Sequence, residues 1–395
     1  MQFATMMIGA GNTATRTREM MDAIAKKMGL DGLAVSFSLD SITASVRRSG
    51  EWITALRETG PPVVNVWQIA ELERLVKTLG PEPALREIEL KLAHLKSTAH
   101  HYSMLQIVGA VATASGAFAF LNGAAALEMI AAAIGGGTGQ WLRMRLSRSH
   151  FNHYGTAALS AAAASGVFAI VGGLSGLVGL KFTHYPAGFI SSVLFLVPGF
   201  PLIAGLFDLL QYQTVAAVSR FAYGAMLLLS VALGLSFVIA IAGIDISRQP
   251  SLEVAYFLKF VLRAVFSFVA AGAFAMLFNT PAPIALAAGL LALVANSLRL
   301  VLNDIGMMPA PAAFCAALVI GIVAMLSDRH FNVPRLAMTV APIVIMIPGV
   351  FAFEMIVLFN HGRMVEALQA SASCGFVIGG LAMGLAAARF FIRKT

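Results

Sequence analysis

Charge is what this sequence lacks. Asp, Glu, Lys and Arg make up 12% of its 395 residues, where a soluble globular protein carries about a quarter. Cysteine is nearly missing too: Cys315 and Cys374 are the two in the chain, and both lie in apolar stretches. That excludes a disulfide framework and a cysteine-based metal site, and it reads as small packing residues. The start, Met1 to Gly11, has neither the cationic stretch nor the apolar run of a signal peptide. No Walker sequence is present, so no ATP drive is expected within this chain. No Ser-His-Asp or paired-carboxylate pattern can be assembled, no cofactor motif appears, and an enzyme is not expected.

Apolar residues fill the space, at 58% with a mean hydropathy of +0.82. Of the 46 charged residues, 23 fall in residues 1–100 and 23 in the 295 that follow. The first hundred residues therefore read as a soluble domain and the remainder as a membrane bundle. Net charge is +8, of which +1 (12 basic less 11 acidic) belongs to residues 1–100. The surplus sits at the ends of apolar segments, as the positive-inside bias produces. A nucleic-acid partner would need a basic face on the soluble part, which is nearly neutral, so none is expected.

Residues 1–100 predict a small α/β domain. Met20, Ile24 and Met28 recur at helical spacing and Gly29 follows as a stop. Between Ala34 and Arg57 the alternating runs 35–39 and 42–46 predict antiparallel strands, ended by Pro61 and Pro62. Asn65 with Gln68 predicts a capping box for a helix with Ile69, Leu72, Val76 and Leu79 on one face. Leu85, Ile88, Leu92 and Leu95 line a further helix.

Beyond Tyr102 come ten stretches near the 20 apolar residues a bilayer requires: 103–121, 124–142, 154–180, 187–208, 215–243, 255–278, 281–302, 310–326, 336–358 and 371–391. The expected fold is predominantly α, a polytopic membrane protein. It divides into a cytoplasmic domain (1–100), a first five-span module (101–244) and a second (245–395). With residues 1–100 cytoplasmic, nine basic residues near span ends fall inside (Arg143, Arg145, Arg148, Arg220, Arg329, Arg335, Arg389, Arg393, Lys394). Six fall outside (Lys181, Arg248, Lys259, Arg263, Arg299, Arg363). An internal repeat supports the division. Gly116-Ala117-Phe118-Ala119 recurs at Gly272-Ala273-Phe274-Ala275 and Arg143 at Arg299, both offset by 156. Because five spans are an odd number, the second module would enter the membrane inverted.

Two Pro-Gly pairs, Pro198-Gly199 and Pro348-Gly349, interrupt matching spans 150 positions apart. Proline removes a helical hydrogen bond, and in hydrocarbon such a break persists only where it is buried in protein or lines a cavity. Paired breaks in two halves point to a transporter's binding site, where a helix N-terminus suits a carboxylate. Gln140 with Arg143, and Asn296 with Arg299, lie three residues apart on matching helices and suit forked hydrogen bonds to a carboxylate, or simply snorkel to the interface. Acidic residues inside spans default to function: Asp208 and Glu354 are candidate proton carriers, and Glu128 is a third acid. The run Gly135–Gly139 lacks the Lys-Ser/Thr ending of a phosphate loop. With Gly172/Gly176 and Gly375/Gly379 it predicts close helix packing. His100-His101 and the 150–153 His pair lack acidic or Cys partners, so no metal is expected.

The chain resembles the threonine/serine exporter family. Gly9-Ala10-Gly11-Asn12-Thr13-Ala14-Thr15-Arg16, leading to Met20 and Met28-Gly29-Leu30, resembles its opening motif; Asn12 and Thr13 stand where an acidic residue is common. A β region and a helix before the membrane fit 35–97, and Gly135–Arg143 and Val197–Pro201 resemble its recurrent membrane segments. The resemblance implies export of small hydroxy amino acids driven by a proton gradient, from a bacterial inner membrane with residues 1–100 in the cytoplasm. Relatives of similar architecture associated with succinate keep a dicarboxylate open as substrate. A membrane-anchored sensor or enzyme working through Asp40, Arg47, Arg48 and Glu51 is a third reading. A homo-oligomer is compatible with all three.

Overall fold

The computed structural model describes residues 1–38, 41–60, 63–98, 101–149, 151–180, 182, 185–243, 255–331, 333, 335–360 and 362–392. Asp40, Pro61, Pro62, His100, His150, Lys181, Arg248, Arg393 and Lys394 lie outside them. The amino-terminal domain holds α1 (Gln2–Gly9), α2 (Ala14–Lys27), β1 (Gly32–Phe37), β2 (Ser41–Arg48), β3 (Glu51–Glu58), α3 (Val66–Thr78) and α4 (Leu85–Ser97). The strands form one antiparallel sheet in the order β1-β2-β3. Pairing of Val35 with Ala44 and Phe37 with Ile42 puts these four side chains together on the buried face, as the two-residue period of a strand requires. Two strands were expected here and a third is found. Trp52, Ile53 and Leu56 of β3 do not alternate cleanly, and the whole strand is exposed.

Local signals set the helix ends. Thr13 accepts a hydrogen bond from Arg16 N at 3.3 Å, Gly29 turns the chain at φ +68°, and Asn65 accepts one from Gln68 N at 3.0 Å. Ile69, Leu72, Val76 and Leu79 are buried as the spacing predicts. Ile88 and Leu92 join them, whereas Leu85 is exposed.

Among the described residues twelve helices follow: α5 (Met104–Leu121), α6 (Ala126–Arg148), α7 (His153–Leu177), α8 (Tyr185–Ser191), α9 (Gly199–Leu210), α10 (Thr214–Ala242), α11 (Tyr256–Leu277), α12 (Ala282–Asp304), α13 (Pro309–Phe331), α14 (Arg335–Val344), α15 (Gly349–Asn360) and α16 (Met364–Ile392). Seven are long and apolar enough to cross a membrane. The count is nine if the bent pairs 186–210 and 335–355, at 62° and 46°, are one span each. The expected ten included α6, whose Glu128, glycines, Gln140 and Arg143 leave it too polar for that count. It nonetheless packs between α5 and α7. The chain is a multi-pass membrane protein.

Neighbour relations repeat across the bundle. α5 packs on α6, α6 on α7, and α7 and α9 on α10; α11 packs on α12, α12 on α13, and α13 and α15 on α16. Between the two sets the contacts are exchanged: α5 meets α11, α9 meets α16 as α15 meets α10, and α8 meets α15 as α14 meets α9.

Glycine permits the closest helix crossings. A Cβ at Gly135 would stand 2.5 Å from Ala164 O, and one at Gly384 would stand 2.4 Å from Phe314 O. Gly375, Gly379 and Gly176 face open space, and Gly172 faces the Phe182 ring. The close packing expected at Gly375/Gly379 is therefore made five residues on, at Gly380 and Gly384, against α13. Gly135→Ala and Gly384→Ala should each lower stability by about 1–3 kcal/mol through overpacking against backbone. Thermal unfolding in detergent reads the loss, with Gly375→Ala as the near-neutral control.

Candidate functional site

The two Pro-Gly breaks are built alike. Gly199 N bonds Val197 O at 2.8 Å and Gly349 N bonds Ile347 O at 2.7 Å; Leu202 N bonds Pro198 O and Ala352 N bonds Pro348 O, each at 3.2 Å. They also pack on each other. A Cβ at Gly199 would meet Ile347 Cδ1, and a Cβ at Gly349 would meet Leu194 Cδ2 at 2.6 Å and Val197 Cγ2 at 3.4 Å. The offset is the same both ways (347 − 197 = 349 − 199 = 150), so each break seats its glycine under an apolar side chain of the other.

Beside the second break lies a cavity of about 770 Å³. Pro348, Gly349, Val350 and Phe351 line it, so the N-terminus of α15 opens into it. The first N–H groups of a helix have no intrahelical acceptor and attract anions. Four charged side chains share the lining: Lys259 and Arg263 of α11, Arg299 of α12 and Glu354 of α15. Asn296 is buried and points Arg299: its Oδ1 accepts from Arg299 Nε at 2.9 Å while its Nδ2 donates to Ser267 Oγ at 2.8 Å. Arg263 is bonded to Asp304 at 2.5 Å. Asn122 and Asn303 add polar groups, and most of the remaining wall is apolar, from Phe118, Phe120, Ile190 and Leu194 among others. Such a chamber orients a small solute by a few polar groups against an apolar wall.

The other expected residues stand elsewhere. Pro198 and Gly199 are part of the packed crossing rather than the cavity lining. Gln140 and Arg143 lie towards the C-terminal end of α6, at the opposite end of the bundle from the cavity, with Arg143 near Tyr223 and His153. Glu128 is buried in the first turn of α6. Asp208 is fully enclosed and faces the amino-terminal domain, not the cavity.

There Asp208 Oδ2 pairs with Arg220 Nε at 3.0 Å, and its Oδ1 accepts from Ala14 N at 3.0 Å. Arg220 in turn donates to Asn12 O at 2.6 Å and Gly11 O at 3.4 Å. A buried ion pair of the bundle thus holds the loop between α1 and α2 by its backbone. Gly11, at φ +95°, lies so close to Phe200 of α9 that a Cβ would stand 2.8 Å from its ring. Val66 N donates to Phe278 O at 2.9 Å, and Val66 packs with Phe200, Ala204, Ala337 and Val340. Asn279 Nδ2 donates to Asn65 Oδ1, and Tyr102 Oη to Thr280 O at 2.7 Å, burial pushing the Tyr102 phenol up. Within the domain Arg16 is bonded to Glu73 at 2.7 Å. Burial works against its charge, but the bonds to Glu73 and Glu19 outweigh this and hold its pKa above the ordinary arginine value. The domain sits on the α9–α10 and α11–α12 turns. The cavity opens at the other end, among the C-terminal end of α5, the start of α11 and the last turns of α12.

The family described as "Putative threonine/serine exporter" matches residues 1–242, which is α1 to α10. The chain belongs to the threonine/serine exporter family. A second description, "Threonine/Serine exporter, ThrE", matches residues 263–391, within α11 to α16. Among curated proteins, the "Probable succinate transporter subunit YjjP" of Escherichia coli is 21% identical over 246 residues, covering 62% of this chain and 93% of that protein. Its namesake in Klebsiella aerogenes is 20% identical, covering 62% and 92%. A Haemophilus influenzae protein is 30% identical over 140 residues, covering 33% of this chain and 47% of its own length. No solved structure matches. Membership in an exporter family makes the multi-pass bundle that of a membrane transporter.

Proposed function

We infer that the protein is a secondary exporter of threonine, serine or a similar small amino acid, coupled to protons and set in a bacterial inner membrane with its amino-terminal domain in the cytoplasm. One observation carries the reading: Arg299, the N-terminus of α15 and Glu354 converge on a single chamber at a break between the two halves. The substrate carboxylate lies against Arg299 and the helix end, and its ammonium against Glu354. Glu354 also carries the coupling proton, as the acid that shares the chamber's lining with these groups. Asp208 serves docking of the amino-terminal domain instead. Two five-span modules, 101–244 and 245–395, related by inversion, are supported by the matched breaks and the exchanged helix contacts. Ten spans result when α6 is counted with the nine.

The chamber's charge favours a second reading. With Arg263 already paired to Asp304, Lys259 and Arg299 face Glu354 in the lining; two cations to one acid fit a dicarboxylate, and two relatives carry succinate in their names. The sensor or enzyme reading has no such support. Arg47, Arg48 and Glu51 lie on exposed parts of β2 and β3.

Purified protein reconstituted in liposomes tests the first reading. Threonine counterflow should be saturable and its net flux should accelerate with an imposed pH gradient. Flux indifferent to the gradient removes proton coupling; succinate flux without threonine flux installs the second reading.

A further inference from the structure

At the end of the bundle that bears the amino-terminal domain, α6, α7 and α10 bring together a polar group that the chamber does not use. Tyr223 Oη and His153 Nε2 are 2.6 Å apart and their rings stack at 5.8 Å between centroids. Tyr154 lies 6.1 Å from Tyr223. Arg143 is near enough to act electrostatically on both His153 and Tyr223. His153, Thr156 and Ser160 follow one another along one face of α7. Gln140 and Arg143 do so on α6, where the helices approach so closely that a Cβ at Gly139 would stand 2.9 Å from Ser160 O.

Two features of this group ask for a ligand. Arg143 has no carboxylate partner among the described residues, unlike Arg220 with Asp208 and Arg263 with Asp304. An unneutralised guanidinium within a membrane bundle is costly. Thr156 and Ser160 are buried to 2% and 0% exposure, yet the hydroxyls Thr156 Oγ1 and Ser160 Oγ find no hydrogen-bond partner. Buried polar atoms are normally satisfied. A carboxylate beside Arg143 supplies the counter-charge, and its oxygens accept from hydroxyls of this group. The repeat points the same way, since Arg143 matches Arg299 at offset 156 and Arg299 lines the chamber at the other end.

We propose that Arg143, His153 and Tyr223, backed by Gln140, Thr156 and Ser160, form a second carboxylate-binding site at the end of the bundle that bears the amino-terminal domain. The site rests on the transport reading only for the identity of its natural ligand. Alternating access then offers the substrate a guanidinium at each end in turn.

The test uses the full chain in lipid nanodiscs with its histidines labelled with nitrogen-15 in the ring. The His153 resonance is assigned by its loss in His153→Gln. Acetate, threonine and succinate are added, with sodium chloride at matched ionic strength as control. At least one carboxylate should move the His153 signal saturably while chloride does not. Arg143→Gln should raise the half-saturating concentration tenfold or more, and Arg299→Gln should leave it within twofold. Tyr223→Phe, which keeps charge and shape, should raise it at least threefold and serves if Arg143→Gln misfolds. No saturable shift with any of the three, or a shift unchanged in Tyr223→Phe and Arg143→Gln, overturns the site. A saturable shift in protein that moves neither threonine nor succinate keeps the site and removes the transport reading.

Discussion

Asp208→Asn should free the amino-terminal domain from the membrane bundle. In the parent, Asp208 neutralises Arg220 with both residues almost wholly enclosed, and its second oxygen accepts from Ala14 N. The amide keeps the volume and removes the charge, leaving Arg220 buried without its counter-ion. Removing one partner of such a pair costs about 3–5 kcal/mol. At 1.4 kcal/mol per decade, this shifts the docking equilibrium by on the order of a hundredfold or more. Arg220 can escape that cost only by leaving, which also breaks its bonds to the carbonyls of Gly11 and Asn12. Hydrogen exchange should rise at the amides of Ala14 and Thr15 and at Val66, whose N–H is given to Phe278 O. Cleavage in the connection at 98–103 should quicken in parallel, while thermal unfolding of the bundle changes less. If Asp208→Asn leaves exchange at Ala14 and Val66 unchanged, the ion pair does not hold the domain. Gly11→Ala gives an independent arm, since it places a Cβ against Phe200 and asks a non-glycine residue to hold φ +95°.

That docking contact was not legible in the sequence, for a physical reason. Asp208 and Ala14 are 194 positions apart, and a bond to main-chain N–H leaves no pattern of residue types. Arg220 looks like an interfacial positive charge near a span end, since a one-letter sequence cannot tell a snorkelling arginine from one folded back into protein. His153 and Tyr223 are likewise far apart in sequence, at a separation of 70, and the histidine read only as a weak metal candidate.

What the sequence made plain was local or periodic. The Pro-Gly breaks followed from chemistry that no packing can evade, because proline has no N–H to give. The Asn65 cap followed from side-chain reach, and the amphipathic face of α3 from its spacing. Helix-packing glycines were legible in kind but not in place. Gly135 does meet a neighbour's backbone, whereas Gly375 and Gly379 turn away and Gly380 and Gly384 make the contact. Spacing by four states that two glycines share a face, not which face meets a neighbour. The third strand failed for a related reason: β3 is exposed along its whole length, so no buried face imposed alternation on it.

Glu354→Gln should separate the two substrate readings by opposite effects. For a zwitterionic amino acid the carboxylate of Glu354 is the ammonium's partner, so its removal leaves that charge unpaired in the chamber. Truncating one member of a desolvated charge pair costs about 2–5 kcal/mol, so threonine transport at low concentration should fall on the order of 30-fold or more. The remaining flux should lose its dependence on the pH gradient if Glu354 carries the proton. For a dicarboxylate the same change removes the acid that shares the lining with Lys259 and Arg299, so succinate transport should hold or rise. Arg299→Gln provides the complementary arm and should depress both substrates, because each presents a carboxylate to the guanidinium that Asn296 orients. Asn296→Leu should act in the same direction but less, since the charge remains and only its aim is lost. Equal responses of threonine and succinate to Glu354→Gln, or no response of either to Arg299→Gln, would mean that the chamber at the second break is not where the solute binds.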